Sequence, residues 1–275
     1  MKISMPCLCL FWSLGFLRPV LGVTVIADSV TIARPFLVDE GVRVVDGDTR
    51  TVVSIVDGGV VAAGMEPHDS SVINVDGGRV NAVHAFASSI VNITEGEIPF
   101  SVVASDSAVV NVYGGSIGVG QPEDFGYSMY GDKRMPTVLS AAGDSNVPDP
   151  AAGNSIVNIF GGVLGHGFSA YRGGTINLYG GSFEIGFVVG PESTINIFGR
   201  GLFLMPIEMT DTYTENLVTG SLLDGTPLRH LAVAQTSQKG VAGQIVLHNI
   251  PEPTSVILLG VGVLTIFMCS FRTKV

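Results

Sequence analysis

Cysteine and charged residues are scarce in this chain. Only 14% of its 275 residues are charged, and its three cysteines (Cys7, Cys9 and Cys269) all lie in the two apolar end segments. The body of the chain therefore has no cysteine with which to form a disulfide or a cysteine-ligated metal site. With 46% hydrophobic residues and 36 glycines, the chain is too apolar for disorder, and its glycines lack the collagen period. This composition is typical of folded β structure rich in turns.

Basic residues are the scarcer charge, with 14 Lys and Arg against 24 Asp and Glu. Residues 23–250 exclude Lys2, Arg18, Arg272, Lys274 and Glu252, which leaves 10 basic and 23 acidic residues and a net charge of −13. Such a surface repels nucleic acid and anionic lipid. The charge therefore argues against a nucleic-acid partner and is compatible with a location outside the cell.

Residues 1–22 have the order expected of an export signal. Lys2 is followed by the apolar stretch ISMPCLCLFWSLGFL, and Val20 and Gly22 offer a cleavage context. This arrangement is similar to a secretory signal peptide, so the segment is interpreted as one. A buried or membrane-anchoring helix is the alternative.

A repeat dominates the body of the chain. Segments such as SVINVDGG, SIVNIFGG and GTINLYGG share one pattern, with a weaker early copy, TVVSIVDGG, in which Ser54 takes the place of the asparagine. From Ser54 onward the aligned positions follow one another at intervals of 20, 18, 19, 47, 19 and 19. The repeat asparagines are Asn74, Asn92, Asn111, Asn158, Asn177 and Asn196.

Each copy of the repeat has the pattern of a short β-strand. Apolar residues alternate with others and the run stops at a glycine pair, where a positive φ allows a tight corner. A coil of about 19 residues is half the length of a propeller blade. We therefore predict an all-β fold, a parallel β-helix or solenoid, whose interior is filled by Ile73, Ile93, Val110, Ile159, Ile176 and similar residues.

The repeat boundaries divide the chain into five parts. After the signal peptide, residues 23–50 are predicted to form an N-terminal cap of short strands, and residues 51–201 the solenoid repeats. The 47-residue spacing implies an insertion of 28 residues, at about 121–153. Residues 202–250 are predicted to form a C-terminal β cap, and residues 251–275 a second terminal apolar helix.

The asparagine column and the aromatic residues that follow it have two interpretations. Tyr113, Phe160, Tyr179 and Phe198 each come two residues after a repeat asparagine. They could form a ligand-binding stripe that holds sugar rings, or the amides and rings could stack as ladders that stabilise parallel strands. The structural ladder is favoured because repetition along every coil is what a scaffold requires.

The insertion is the other candidate for ligand contact. It carries Phe125, Tyr127 and Tyr130, followed by Lys133 and Arg134. Insertions in repeat proteins project as loops and often bind ligands. The alternative is a tolerated surface loop, since long loops are accommodated at small entropic cost.

No catalytic or metal site is predicted. A solenoid lyase or hydrolase needs acids, or acids with Lys or Arg, converging from neighbouring coils. Asp69 and Asp106 each lie five residues before a repeat asparagine, but Ala87 occupies that position in the coil between them. The histidines are scattered without metal-ligand spacing, and no cofactor motif is present; they are His68, His84, His166, His230 and His248.

The C-terminus carries three unlike elements in a fixed order. These are the tripeptide Pro251, Glu252 and Pro253, the apolar run TSVILLGVGVLTIFMCSF, and the basic residues Arg272 and Lys274. The run is near the minimum length for crossing a bilayer, and the basic residues favour a cytoplasmic end. This segment, about 25 residues long, resembles a PEP-CTERM sorting signal. An ordinary C-terminal membrane anchor is the alternative.

The resemblance implies partners and a destination. PEP-CTERM proteins of Gram-negative bacteria are recognised by an exosortase, a membrane cysteine transpeptidase that cleaves near the tripeptide. The resemblance thus implies a membrane-anchored precursor that passes through the secretion machinery to the cell surface or the extracellular polysaccharide matrix. This tail departs from the family pattern because Thr273 separates its two basic residues and Val275 ends it. The repeated scaffold, the lack of a predicted catalytic cluster and the sorting tail together favour a non-enzymatic structural or adhesive protein, with a polysaccharide-active β-helix lyase or hydrolase as the alternative.

Overall fold

The computed structural model of the chain is an all-β parallel solenoid of about seven turns. It describes residues 23–36, 41–119, 127–130, 133–142, 154–165, 167–183, 186–209, 213–238 and 241–251. Within these ranges no residue is helical, so no helix long and apolar enough to cross a membrane is found among them. The predicted terminal apolar helices lie outside the described residues.

The described residues form 26 strands in chain order. They are β1 (Thr24–Ile26), β2 (Val30–Ile32), β3 (Pro35–Phe36), β4 (Val42–Val44), β5 (Val52–Val56), β6 (Val60–Pro67), β7 (Val72–Asp76), β8 (Arg79–Ala85), β9 (Ile90–Ile93), β10 (Glu97–Ile98), β11 (Val102–Ala104), β12 (Val109–Val112), β13 (Ser116–Ile117), β14 (Tyr127–Tyr130), β15 (Lys133–Ala142), β16 (Ile156–Ile159), β17 (Val163–Leu164), β18 (Gly167–Tyr171), β19 (Thr175–Leu178), β20 (Ser182–Phe183), β21 (Phe187–Val189), β22 (Thr194–Met209), β23 (Tyr213–Leu222), β24 (Pro227–Gln238), β25 (Val241–Ala242) and β26 (Gln244–Asn249).

Three faces of parallel strands enclose the interior. The first face stacks β2, β5, β7, β9, β12, β16, β19, β22 and β26. The second face stacks β3, β6, β8, β10, β13, β17 and β20. The third face stacks β1, β4, β6, β8, β11, β15, β18, β21 and β24. The predicted parallel β-solenoid is therefore confirmed.

The register of the first face follows the sequence repeat. Ser54 pairs with Asn74, and each later repeat asparagine pairs with the next, through the long step from Asn111 to Asn158. A one-residue slip would exchange the buried and exposed sets of side chains. The alternating pattern of the repeat therefore fixes the pairing of the coils.

The interior is built from the apolar half of each alternation. The predicted interior residues, Ile73, Ile93, Val110, Ile159 and Ile176, are all fully buried. On the third face, the later coils place the Phe168 and Phe187 rings inside, stacked with centroids 4.7 Å apart. Burial of a large aliphatic or aromatic side chain contributes about 1.5–3 kcal/mol, so these buried side chains together are the main source of stability.

The glycine pairs form the corner between the first and second faces. Gly115 has φ 79°, which a residue with a side chain seldom adopts. A Cβ atom on Gly114 would lie 2.3 Å from the carbonyl oxygen of Thr94 in the preceding coil. One glycine is therefore needed for its backbone angle and the other for the close approach of two coils.

The corner between the third and first faces uses a different turn. A residue with a positive φ of 50–62° lies five positions before the repeat asparagine at Asp69, Ala87, Asp106 and Arg172, and four positions before it at Glu192. The Asp106 carboxylate accepts a hydrogen bond from the backbone N–H of Ala87, 3.0 Å away in the preceding coil. The column in which the sequence places Asp69 and Asp106 is therefore a turn position.

The additional length of the long coil is divided between two corners. The step from the second to the third face spans positions 117–139 in this coil but only 98–102 in the coil before it. The step from the third face to the next asparagine spans positions 141–158, whereas in the preceding coil it spans only 104–111. Part of the range predicted as an insertion, β15, thus supplies the third-face strand of its own coil.

The two ends of the rod differ. Residues 23–50, predicted as a cap, continue the solenoid, because β2 pairs with β5 and β1 with β4 in parallel register. At the other end, β22 leaves the first face and pairs with β23 in an antiparallel hairpin. β24 then joins β23 to the third face, and β26 returns to cover the first.

Candidate functional site

The repeat asparagines form one continuous column of hydrogen bonds. From Asn92 onward, each amide nitrogen donates to the side-chain oxygen of the preceding asparagine, over 2.8–2.9 Å, along the series Asn196, Asn177, Asn158, Asn111, Asn92 and Asn74. All six side chains are half-buried. Because every coil offers one donor and one acceptor at the same height, the column satisfies itself.

The aromatic residues form a second column beside the asparagines. The rings of Tyr113, Phe160, Tyr179 and Phe198 stack with centroids 4.4–5.0 Å apart and interplanar angles of 6–14°. His248 on β26 ends both columns. Its ring lies 4.3 Å from that of Phe198, and its Nε2 atom lies 3.1 Å from the Asn196 side-chain oxygen.

This stacking limits what the aromatic column can bind. A sugar ring packs against the open face of an aromatic ring, but the rings from Phe160 to Phe198 have aromatic neighbours on both faces. Tyr113, which is 52% exposed, has a stacked partner on one side only among the described residues. The geometry therefore supports the ladder interpretation more strongly than a sugar-binding stripe.

The other residues singled out from the sequence lie at the edges of the described ranges. Tyr127 and Tyr130 end strand β14, whose backbone pairs in antiparallel fashion with Pro136 and Lys133 of β15. Phe125 lies outside the described residues. Pro251 follows β26 and is exposed, whereas Glu252, Pro253, Arg272 and Lys274 lie outside the described part of the chain.

A polar cluster on the third face brings a guanidinium, a carboxylate and imidazole groups close together. Arg43, Glu66 and His84 come from three successive coils, on strands β4, β6 and β8. The Arg43 guanidinium lies 3.2 Å from the Glu66 carboxylate, and both side chains are partly exposed. We call Arg43, Glu66, His68, His84 and Ser105 the third-face cluster.

His68, Phe86 and Ser105 line the adjacent column. The His68 ring stacks on Phe86 with centroids 4.8 Å apart, and its Nε2 atom lies 3.8 Å from the Glu66 carboxylate. His84 packs on the same phenylalanine at 4.1 Å. Its Nε2 atom also lies 3.2 Å from the Ser105 hydroxyl. Two imidazoles thus share one aromatic support beside one carboxylate.

Burial lowers the pKa of His84 below its ordinary value of 6.5, although the Glu66 carboxylate partly opposes this effect. The His84 imidazole is therefore neutral at neutral pH and can accept a proton. Ser105 is 5% exposed, so its hydroxyl is not open to a substrate as a nucleophile. The cluster could instead use Glu66 and His84 for proton transfer and Arg43 to hold an acidic group.

Metal binding has no comparable support. Among the residues that the structure describes, no group of three or more His, Cys, Asp or Glu side chains could hold a metal ion. The third-face cluster supplies two imidazoles and one carboxylate, but Glu66 already pairs with Arg43.

Sequence reasoning missed this cluster because histidines were compared by their spacing in the chain. His68 lies six residues before its repeat asparagine and His84 eight residues before its own. The first offset is shared with Phe86 and Ser105, and the second is shared with Glu66 of the preceding coil. Alignment of all polar residues by repeat offset brings these side chains together.

Comparisons of this chain with protein-family models, with curated proteins and with solved structures find no match.

Proposed function

We propose that the chain is an exported structural or adhesive protein of the cell surface or extracellular matrix, delivered by its C-terminal sorting segment. The observation that supports this proposal most directly is the pair of ladders on the first face. The asparagine column runs without interruption from Asn74 to Asn196, and His248 ends it. Seven coils at a strand spacing of about 4.8 Å make a rod section of roughly 35 Å.

The contacts of these residues support a scaffold role. The repeated amides hydrogen-bond to one another and the rings stack on one another, and both sets of contacts stabilise the rod. The acidic body carries a net charge of −13 over residues 23–250, which favours solubility and discourages binding to nucleic acid and anionic lipid.

The terminal segments supply the destination. The signal-peptide pattern of residues 1–22 would start export, and the apolar segment after Pro253 would hold the precursor in the membrane. The partners implied are the secretion machinery, an exosortase that acts near Pro251, Glu252 and Pro253, and extracellular polysaccharide. Phe125, Tyr127 and Tyr130 remain the proposed contacts to that polysaccharide.

Fractionation of native cells tests this proposal. In normal cells the protein should appear at the surface or in the polysaccharide fraction, whereas deletion of the exosortase should retain it in the membrane. Replacement of Pro251, Glu252 and Pro253 by alanine should cause the same retention, while a matched triple-alanine change at Ser237, Gln238 and Lys239 should not. Equal retention in normal and deleted cells would rule out the sorting mechanism.

The third-face cluster favours a second candidate, a polysaccharide-active enzyme. Arg43, Glu66 and His84 meet the requirement that an acid, a base and a cation converge from neighbouring coils. Residues 23–251 would be incubated with anionic and neutral glycans, and new reducing or unsaturated ends would be measured. The enzyme proposal requires product that is lost in Glu66→Gln. Absence of product, or equal product from Glu66→Gln, would remove this role for the cluster.

A further inference from the structure

The second half of β22 exposes an unusual series of large apolar side chains. Phe203, Met205, Ile207 and Met209 are 62%, 46%, 56% and 75% exposed. We call Phe203, Met205 and Ile207 the apolar strip. Single exposed apolar residues are common, but a contiguous series usually marks a surface that contacts another molecule or a lipid phase. The strip lies outside the ladders and far in sequence from the third-face cluster.

The strip belongs to the hairpin at the C-terminal end of the rod. β23 pairs with one side of β22, with Phe203 opposite Thr219 and Met205 opposite Leu217. Leu204 points the other way, packs against the core and is less exposed. Phe203 and Met205 therefore lie on the outer side of the hairpin. The register shift between Pro206 and Glu208 changes the alternation, so that Glu208, opposite Glu215, lies on the same side as Met205, and Met209, opposite Thr214, lies on the other.

The described chain ends beside the start of the strip. The Asn249 side chain donates to the carbonyl oxygen of Leu202 over 3.0 Å and accepts from its N–H over 2.7 Å. The Ile250 N–H donates to the Gly199 carbonyl oxygen over 2.7 Å. The chain thus leaves the fold beside Leu202, the neighbour of Phe203, and the uncharged apolar run 254–271 follows.

We propose that the apolar strip rests on the bilayer into which the C-terminal segment inserts. This inference rests on the proposed function, in which residues after Pro253 enter the membrane. Asn249 and Thr254 are five Cα steps apart, and an extended chain spans at most about 3.6 Å per step, so Asn249 and the Leu202 end of the hairpin beside it lie within roughly 18 Å of the hydrocarbon boundary. Headgroups occupy about 5–8 Å of that distance.

The chemistry of the hairpin selects the kind of lipid. The strip carries Phe, Met and Ile side chains, which enter the headgroup boundary by burying apolar area. Glu208 and Glu215 pair opposite each other near the tip, which disfavours anionic headgroups. The partner is therefore a zwitterionic phosphatidylcholine-like or phosphatidylethanolamine-like surface.

Two other occupants would leave different signatures. A second copy of the chain could pair with β22, because beyond Leu202 the described residues pair with only one side of this strand. The C-terminal segment itself could fold back over the strip, in which case it would not be in the bilayer. Contact with lipid requires an inserted tail and a strip that lies within reach of the acyl chains.

Quenching by brominated lipid tests the contact. The full chain with Trp12→Phe, and therefore no other tryptophan, would be reconstituted at one copy per phosphatidylcholine nanodisc. The reporter is Met205→Trp and the matched control is Val163→Trp, since these two positions are 46% and 45% exposed. Val163 lies on the second face, two coils before β22. Phe203→Trp serves as a second reporter in case Met205→Trp disturbs the hairpin.

Brominated acyl chains should reduce the emission of the Met205→Trp or Phe203→Trp reporter about twofold while leaving the Val163→Trp control nearly unchanged. Flotation of the same protein with vesicles separates the premises. If the chain floats but the reporters are quenched no more than the control, the strip does not rest on lipid and the sorting proposal is unaffected. A dimer in detergent together with unquenched reporters identifies a second copy as the occupant. Failure to float overturns both the inserted tail and the lipid contact.

Discussion

Removal of one amide from the middle of the asparagine column should destabilise the rod about twice as much as removal at its end. Asn158 donates to Asn111 and accepts from Asn177, over 2.9 and 2.8 Å. Among the described residues, Asn74 has one ladder bond, accepted from Asn92, and its neighbour in the preceding coil is Ser54 rather than another asparagine. Asn158 and Asn74 both lie on the first face of the solenoid and occupy the same position in its strand register.

The magnitude follows from these bonds and from the half-burial of the column. A neutral hydrogen bond contributes about 1 kcal/mol net, and a partner left unsatisfied at a site that water can reach adds little. Asn158→Ala should therefore cost about 2 kcal/mol and Asn74→Ala about 1 kcal/mol. Asn158→Asp should cost more than Asn158→Ala, since a carboxylate would face the Asn111 side-chain oxygen as acceptor against acceptor.

Urea unfolding of residues 23–251 measures these differences through the midpoint at a constant slope. A double-mutant cycle between Asn158 and Asn177 should give a coupling of about 1 kcal/mol, and one between Asn74 and Asn177 a coupling near zero. Equal losses at Asn158 and Asn74, or no coupling between the adjacent pair, would refute the ladder as a source of stability.

Three further predictions concern the corners and the titratable groups. Gly180→Ala should lower the unfolding free energy by about 3 kcal/mol or more, because the new Cβ would lie 2.3 Å from the Phe160 carbonyl oxygen. The control Gly64→Ala should be nearly neutral, since its Cβ would lie 3.9 Å from the nearest atom. Similar melting temperatures for the two variants would contradict this prediction. The stability that neutral His84 contributes is complete above its ordinary pKa of 6.5 and is lost as the pH falls toward its lowered folded pKa. His84→Gln should therefore reduce the change in urea midpoint between about pH 7.5 and pH 5. A pH dependence of the midpoint equal to that of the unsubstituted protein would argue against burial of the imidazole. Hydrogen bonds from the Ser70 hydroxyl and, second, from the Thr51 N–H lower the pKa of Asp46 below 3.8. The stability that the ionised Asp46 contributes is present above that value and is lost as the pH falls through the folded pKa, so Asp46→Asn should be destabilising at pH 7 and nearly neutral well below pH 3.8. An equal loss of stability at both pH values would show that the charge of Asp46 is not its source.

The first face could be predicted from the sequence because its residues repeat by type. Asparagine, the aromatic residue and the glycine pair recur at one spacing, and Ser54 could be aligned with Asn74 although its side chain differs. The alternation around them then identifies Ile73 and Ile93 as interior. On this face, residues of the same type in successive repeats are also the residues that pair between neighbouring strands, so the repeat predicts the register.

The third face could not be predicted in the same way. Its interior positions hold residues as different as Met65, Val83, Val102, Phe168 and Phe187, because each coil needs only enough apolar volume there. Without a recurring residue, the strand of the long coil was indistinguishable from insertion. The third-face cluster, by contrast, lies at shared repeat offsets, so alignment of all polar residues by offset predicts it.

His248 illustrates a second limit. It extends both ladders, yet it follows the last repeat asparagine by 52 residues and lies in a strand without the repeat pattern. Its place depends on the hairpin β22–β23 and on the return of the chain to the first face. Such a contact is set by the path of the whole C-terminal end, which local spacing does not encode.

The central claim is tested most directly by the mass of the mature protein recovered from the surface or polysaccharide fraction of native cells. An exported and sorted chain should begin near Val23 and should end near Pro251, Glu252 and Pro253, with or without the mass of an attached glycan. A chain that retains both residues 1–22 and residues 254–275, or one found only inside the cell, would contradict it.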